Sequence, residues 1–112
     1  MRNKEMKKSY KFTPFARYVT RGVETSLPFE IQMIMWAMID RMVKSGFLVD
    51  YLQVFTIDCH QGDCLIKHKQ ECPDYIGEVK RKILEEEFEC HELKVFVIDD
   101  ETHSTMLLAS EY

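Results

Sequence analysis

Apolar and polar residues alternate with a period of two through Tyr51–Cys59 (YLQVFTIDC). Leu52, Val54, Thr56 and Asp58 fall on one side, and Tyr51, Gln53, Phe55, Ile57 and Cys59 on the other. That period is the signature of a β-strand. Gln61-Gly62 then supplies a two-residue turn, so Cys64–Gln70 (CLIKHKQ) returns as a second strand, which Pro73 ends or confines to an edge. Leu93–Asp99 (LKVFVID) predicts a further strand, and Thr105–Ala109 pairs back on it across the loop Asp100–Ser104. Near the start, Phe15–Arg21 (FARYVTR) alternates as well. It predicts a first strand ended by Gly22, with Val23–Leu27 as a connection.

The period changes at Pro28–Val43 (PFEIQMIMWAMIDRMV), the one long helical segment, which carries the sole tryptophan. Pro28 suits a first helical position, where its missing N–H costs nothing. Glu30 faces the positive end of the helix dipole and Lys44 the negative end. Gly46 can take the positive φ of a C-cap, with Phe47 beyond it as a capping contact. Wound at about 100° per residue, Phe29, Ile31, Ile34, Met35, Trp36, Met38, Ile39, Met42 and Val43 cover about two thirds of the circumference. A helix lying on one face of a sheet needs a stripe only somewhat wider than about 100°. Loops or the N-terminal segment cover the surplus, or else it is a subunit or partner interface, with methionines making it adaptable. Met33, Trp36 and Phe29 are the candidate interface residues on this helix. Arg17 and Arg21, with Tyr18 and Tyr51, are a second candidate patch, since aromatic–arginine combinations serve interfaces and cross-strand packing alike.

Residues 76–86 read both ways. Ile76, Val79, Ile83 and Leu84 fit a helical period among good helix formers, whereas Val79, Arg81 and Ile83 also alternate with charged residues. The pattern alone leans to helix. Residues 1–13 predict a flexible basic arm, and 14–112 a single domain. The whole predicts an α+β fold, with a mostly antiparallel sheet of about five strands packed against one main amphipathic helix.

Composition narrows the function classes. The 112 residues make one domain with a real core but no room for two. No run of about 18 apolar residues occurs, so no membrane span is expected. The charged start MRNKEMKKSYKF lacks the apolar core of a signal peptide, which predicts a cytoplasmic protein with its four cysteines as thiols. Arg2, Lys4, Lys7, Lys8, Lys11, Arg17 and Arg21 stand against Glu5 alone in the first 21 residues, while the remainder is acidic. A basic arm could touch nucleic acid, but the acidic body repels phosphate and no recognition-helix motif follows. Nucleic acid is therefore not the expected partner.

Three clusters could carry chemistry. Cys59-His60, Cys64, His68, Cys72 and Cys90-His91 invite a metal, yet Cys64, His68 and Cys72 are spaced too far along one strand to share an ion. Only a subset, such as Cys59 and Cys64 with Cys90 and His91, could converge. Asp99, Asp100, His103 and Ser104 offer hard-metal or acid–base groups, or simply a polar turn. Cys59-His60 and Cys90-His91 are sequence neighbours, which point to opposite faces of a strand and make poor thiolate–imidazole pairs. No GxSxG, HExxH or phosphate-cradling glycine loop is present. Neither catalysis nor a cofactor is expected.

Tyr18–Gly22 (YVTRG), Leu27-Pro28 opening a helix with Trp36 and Ile39-Asp40, and Asp50–Phe55 (DYLQVF) form one recognisable order. His68, Gln70-Glu71, Pro73, Val97–Asp99, His103–Leu108 (HSTMLL) and Glu111-Tyr112 continue it. In this the chain resembles a family of small proteins from low-GC Gram-positive bacteria and their mobile elements, catalogued as domain of unknown function 960. The resemblance carries over no activity. It implies a bacterial cytoplasmic protein in which YVTRG, DYLQVF and the last twenty residues form one unit, and an extended Val79–Leu84, against the helical lean. The cysteines lie outside the matched pattern.

The expected function is that of a non-enzymatic interaction or regulatory module that self-associates or binds a protein partner. The alternative is a small metal-binding or nucleic-acid-binding accessory protein.

Overall fold

A computed structural model describes residues 8–112. Among these residues six strands form one sheet: β1 (Arg17–Val19), β2 (Leu52–His60), β3 (Asp63–Gln70), β4 (Tyr75–Lys82), β5 (Cys90–Asp99) and β6 (Ser104–Leu108). Two helices, α1 (Arg21–Ser26) and α2 (Phe29–Lys44), complete the α+β fold. The spatial order is β1-β6-β5-β2-β3-β4, antiparallel throughout except that β1 runs parallel to β6. No helix among the described residues is long and apolar enough to cross a membrane.

Side-chain alternation in β2 decides which sheet face is covered. Gln53, Phe55, Ile57 and Cys59 are buried, and Leu52, Val54, Thr56 and Asp58 on the other face are not. Ile66, Val95, Val97 and Met106 join the buried set from β3, β5 and β6, and Ile31, Met35, Ile39 and Met42 close over them from α2. Pro28 caps α2 rather than opening it, and Gly46 takes φ +83° just past its end, as a helix terminus requires.

Four expectations need correction. Phe15–Arg21 keeps only three strand residues, because Thr20 stops the strand and caps α1 by accepting the Val23 N–H at 3.3 Å. The expected connection at Val23–Leu27 is therefore mostly helix. The sheet has six strands where about five were expected, and Tyr75–Lys82 is one of them, extended as the family resemblance implies and not helical as the pattern alone leans. Val79 sits opposite Ile66 on the covered face, and Ile76 and Leu84, which a helix would have gathered onto one stripe, are 85% and 91% exposed. Pairing with the outer edge of β3 outweighs the helix propensity of the segment. Of the basic arm, residues 1–7 lie outside the described residues, but its end belongs to the domain. Phe12 is fully buried, its N–H donating to Asp99 Oδ2 at 2.9 Å, and the Tyr10 N–H donates to the Val49 carbonyl at 2.8 Å.

The residues that carry the family resemblance hold this fold together in two places. The first is a buried polar network. Gln70 accepts from the Asp50 N–H and from Gln53 Nε2, each at 2.8 Å, and its own Nε2 donates to the carbonyls of Leu48 and Pro73. Gln53 Nε2 also donates to the Asp50 carbonyl, and Gln53 Oε1 lies 2.6 Å from His68 Nε2. With the Gln53 amide nitrogen committed as donor, its oxygen must accept. His68 is therefore the neutral tautomer with its proton on Nε2. The ring stacks on Phe55 at 4.3 Å, Nδ1 has no partner among the described residues, and burial pushes the pKa down to about 4.

The second place joins the two ends of the matched region. Glu111 accepts from the Thr20 hydroxyl at 2.7 Å, the Gly22 N–H at 3.2 Å and the Leu108 N–H at 2.8 Å. These bonds hold its pKa below the usual carboxylate range, the Thr20 hydroxyl contributing most. The carboxylate occupies the space a side chain at Gly22 would need, so glycine there allows the close approach.

Candidate interaction surface

Most of the expected site residues turn out to serve the fold. Arg17 lies across the face of Trp36, 4.7 Å from the ring centre, pairs with Asp40 and donates to the Phe12 carbonyl at 2.7 Å. It thus ties β1, α2 and the Phe12 segment together, and Trp36 beneath it is only 7% exposed. Phe29 (71% exposed) and Met33 (48%) remain as an open pair one helical turn apart. Arg21 is exposed on α1.

The acid loop is a capped turn. Asp99 is buried, with Oδ2 on the Phe12 N–H and Oδ1 on the Glu101 N–H at 2.9 Å. Asp100 accepts from the Thr102 hydroxyl at 2.7 Å and from the N–H groups of Thr102 and His103, which pull its pKa down to about 2. His103 lies edge-on to Tyr18 and within 3.4 Å of Asp100 Oδ2. Ser104 is buried, with no partner for its hydroxyl among the described residues.

Register brings three of the four metal candidates into one row. Cys90 lies opposite Cys59, and Cys59 opposite Cys64. Cys59 and Cys64 are joined as a disulfide across the hairpin, which corrects the expectation of free thiols there. Cys90 stays a thiol whose pKa burial pushes up, and Cys72 is an exposed one. His91 turns away and pairs with Asp58 at 3.0 Å, and His60 with Glu89 at 2.9 Å. Among the described residues no three His, Cys, Asp or Glu side chains are placed to hold a metal.

What remains is the second face of the sheet, which neither helix covers. Pairing fixes the side chains on it. Leu107, Phe96, Val54, Lys69 and Ile76 form one row across β6-β5-β2-β3-β4. Thr105, Ile98 and Leu52 lie beside it on one flank, and Lys94, Thr56, Lys67 and Glu78 on the other. A cavity of about 480 Å³ opens over Leu52, Val54, Phe96 and Ile76, and both Lys69 and Lys94 and the acidic Asp50, Glu71 and Asp74 line it. A larger one of about 650 Å³ sits at the hairpin end, against Asp58, Leu65, Lys80 and the cysteine row. Antiparallel sheets that face water on one side ordinarily present polar residues there. This face keeps a half-exposed aliphatic and aromatic centre instead.

No residue on that apolar row appears among the sequence-derived candidates. The signal was nonetheless present: YLQVFTI is apolar on both sides of its alternation, as befits a strand with something to cover it on each face.

A family model described as "Staphylococcal protein of unknown function (DUF960)" matches residues 16–111. A crystal structure of a protein of unknown function from Enterococcus faecalis superposes with a TM-score of 0.76 at 23% sequence identity, covering 91% of this chain and 95% of that one. At that identity the likeness speaks for the fold. No curated protein matches the chain.

Proposed function

The chain belongs to the DUF960 family, and from that premise we propose that it is a non-enzymatic interaction module whose docking surface is the uncovered face of its sheet. One observation carries this reading. The row Leu107–Phe96–Val54, with Leu52 and Ile98 beside it, forms an apolar centre on a face that neither α1 nor α2 covers, with Tyr112 edge-on to Phe96 at its border. Contiguous exposed apolar surface of this kind marks interaction sites in soluble proteins, and the cavity over Val54 and Phe96 gives an anchor side chain somewhere to insert. The experiment is an amide-correlation NMR titration of the full chain with a panel of small aromatic and aliphatic fragments. Shifts concentrated on Leu52–Val54, Phe96 and Leu107 are expected. Shifts concentrated on α2, or scattered without a cluster, would sink the reading.

Self-association through α2 is a second reading, favoured by the exposure of Phe29 and Met33 one turn apart. It predicts a dimer in native mass spectrometry at tens of micromolar protein, lost in Met33→Glu while the wild-type melting temperature is kept. A monomer across that range rules it out.

A further inference from the structure

We propose that the outer edge of β4 is a self-association surface, where a second copy of this chain pairs antiparallel about Val79 and continues the sheet. The inference is independent of what docks on the sheet face, and it places self-association on a strand edge instead of α2.

Hydrogen-bond phase is the first ground. β4 is the last strand on its side of the sheet and eight residues long, whereas the opposite edge is the three-residue β1. The Ile83 N–H donates to the Gly62 carbonyl at 2.8 Å, one step beyond the Asp63–Lys82 pair. Residues facing each other across an antiparallel ladder alternate between pairs that exchange hydrogen bonds and pairs that do not. Counting back from Ile83, Arg81, Val79, Gly77 and Tyr75 therefore turn their backbone groups toward β3. Ile76, Glu78, Lys80 and Lys82 turn theirs outward, where no described backbone group meets them. Such an open row is a template for another strand.

Charge selects the partner and the register. Paired residues share a face of the sheet, so a two-fold pairing sets one residue against its own copy. Near the middle of β4 that residue is Glu78, Val79 or Lys80. Centring on Glu78 or on Lys80 puts like charges directly opposite, which destabilises a ladder. Centring on Val79 puts Glu78 against Lys80 of the second copy, and Lys80 against its Glu78. Both residues belong to the outward-turned set, so the same register lines up N–H with carbonyl from Ile76 to Lys82. Neither Glu78 nor Lys80 forms an ion pair among the described residues. The exposed Ile76 then lies against the Lys82 stem of the other copy. Arg81 falls opposite Gly77, over which the Tyr75 side chain lies, so its guanidinium finds an aromatic ring. Charged residues on an edge ordinarily keep other strands away. Here their signs are ordered so that this strand is complementary to itself.

Sedimentation equilibrium of the full chain, from micromolar to hundreds of micromolar protein, tests this. A monomer–dimer equilibrium is expected. Lys80→Glu, which sets glutamate against Glu78 twice, should raise the dimer dissociation constant at least about tenfold. Glu78→Lys/Lys80→Glu restores opposite signs and should bring it back to within about threefold of wild type. Met33→Glu should leave it unchanged. All three positions are exposed, and melting curves check that each variant folds. Amide exchange followed by NMR gives a second readout, with protection gained at Ile76, Glu78, Lys80 and Lys82 as the protein is concentrated. A chain that stays monomeric overturns the inference. So does a dimer that keeps its affinity in Lys80→Glu, that the double exchange fails to restore, or that is lost in Met33→Glu. Protection of the same amides only by an unrelated extended peptide, selected from a displayed random library, also overturns it and gives the edge to another protein. Each of these outcomes leaves the sheet-face reading to its own titration.

Discussion

Gln53→Ala is expected to lower folding stability by about 4 kcal/mol, a large share of what holds a domain of this size. Gln53 is fully buried in the middle of the sheet and is the hub of three hydrogen bonds. Truncation strands the His68 Nε2–H, takes away the Gln53 amide donor to the Asp50 carbonyl, and removes one of the two donors to Gln70 Oε1. Each buried group left without a partner costs about 1–3 kcal/mol, and the lost side-chain volume adds a cavity term. Gln53→Met refills the space without the bonds, so it should recover the cavity part and leave the polar part lost. Urea unfolding checks both, as a shift in midpoint at unchanged slope. A loss below about 1 kcal/mol for the alanine variant would mean the network is not what ties β2 and β3 to the 48–50 segment.

The second large effect is an acid-side loss of stability centred on His68. Its pKa is depressed from 6.5 to about 4 because the ring is buried, and Nδ1 has no hydrogen-bond partner among the described residues. Above pH 6.5 the ring is neutral in both states and contributes no pH dependence. As the pH falls below 6.5 the unfolded chain binds the proton first, so stability drops by up to about 1.4 kcal/mol per pH unit until the folded form also protonates near pH 4. The full swing is about 3 kcal/mol. His68→Gln should flatten the curve across that window, at the cost of a lower plateau above it. Asp100 titrates in a separate window, between its ordinary 3.8 and about 2, so its contribution fades at lower pH. A wild-type curve that is level from pH 6.5 to 4.5 would show that His68 is solvated or finds a partner when protonated.

Neither prediction was legible in the sequence as a stability argument. His68 belongs there to a set of histidines and cysteines that invites a metal, and Gln53 is simply one position on one side of an alternating strand. Their joint meaning depends on the β2–β3 register, which brings one beside the other and Gln70 within reach of both. Asp99 and Arg17 behave alike. Each carries the charge of a binding group, and each is used to hold Phe12 in place. The cysteine row was legible only as one convergence among several, because a hairpin turn sets Cys59 opposite Cys64 but says nothing of which strand lies on the other side.

The chain by itself determines the elements whose signals are local. The Gln61-Gly62 turn with alternation on both sides makes the β2–β3 hairpin, and the charges and Gly46 terminus around a 3.6-residue period make α2. Short-range sterics and hydrogen bonding suffice for these. Tertiary structure alone decided the rest. β4 is a strand because β3 offers an unpaired edge, and α1 forms where Glu111, 89 residues away, supplies a partner for the Gly22 N–H. The candidate surface is of the same kind. Alternation reveals that β2 is apolar on both sides, but which side the helices leave bare depends on how distant segments pack, and no local pattern encodes that.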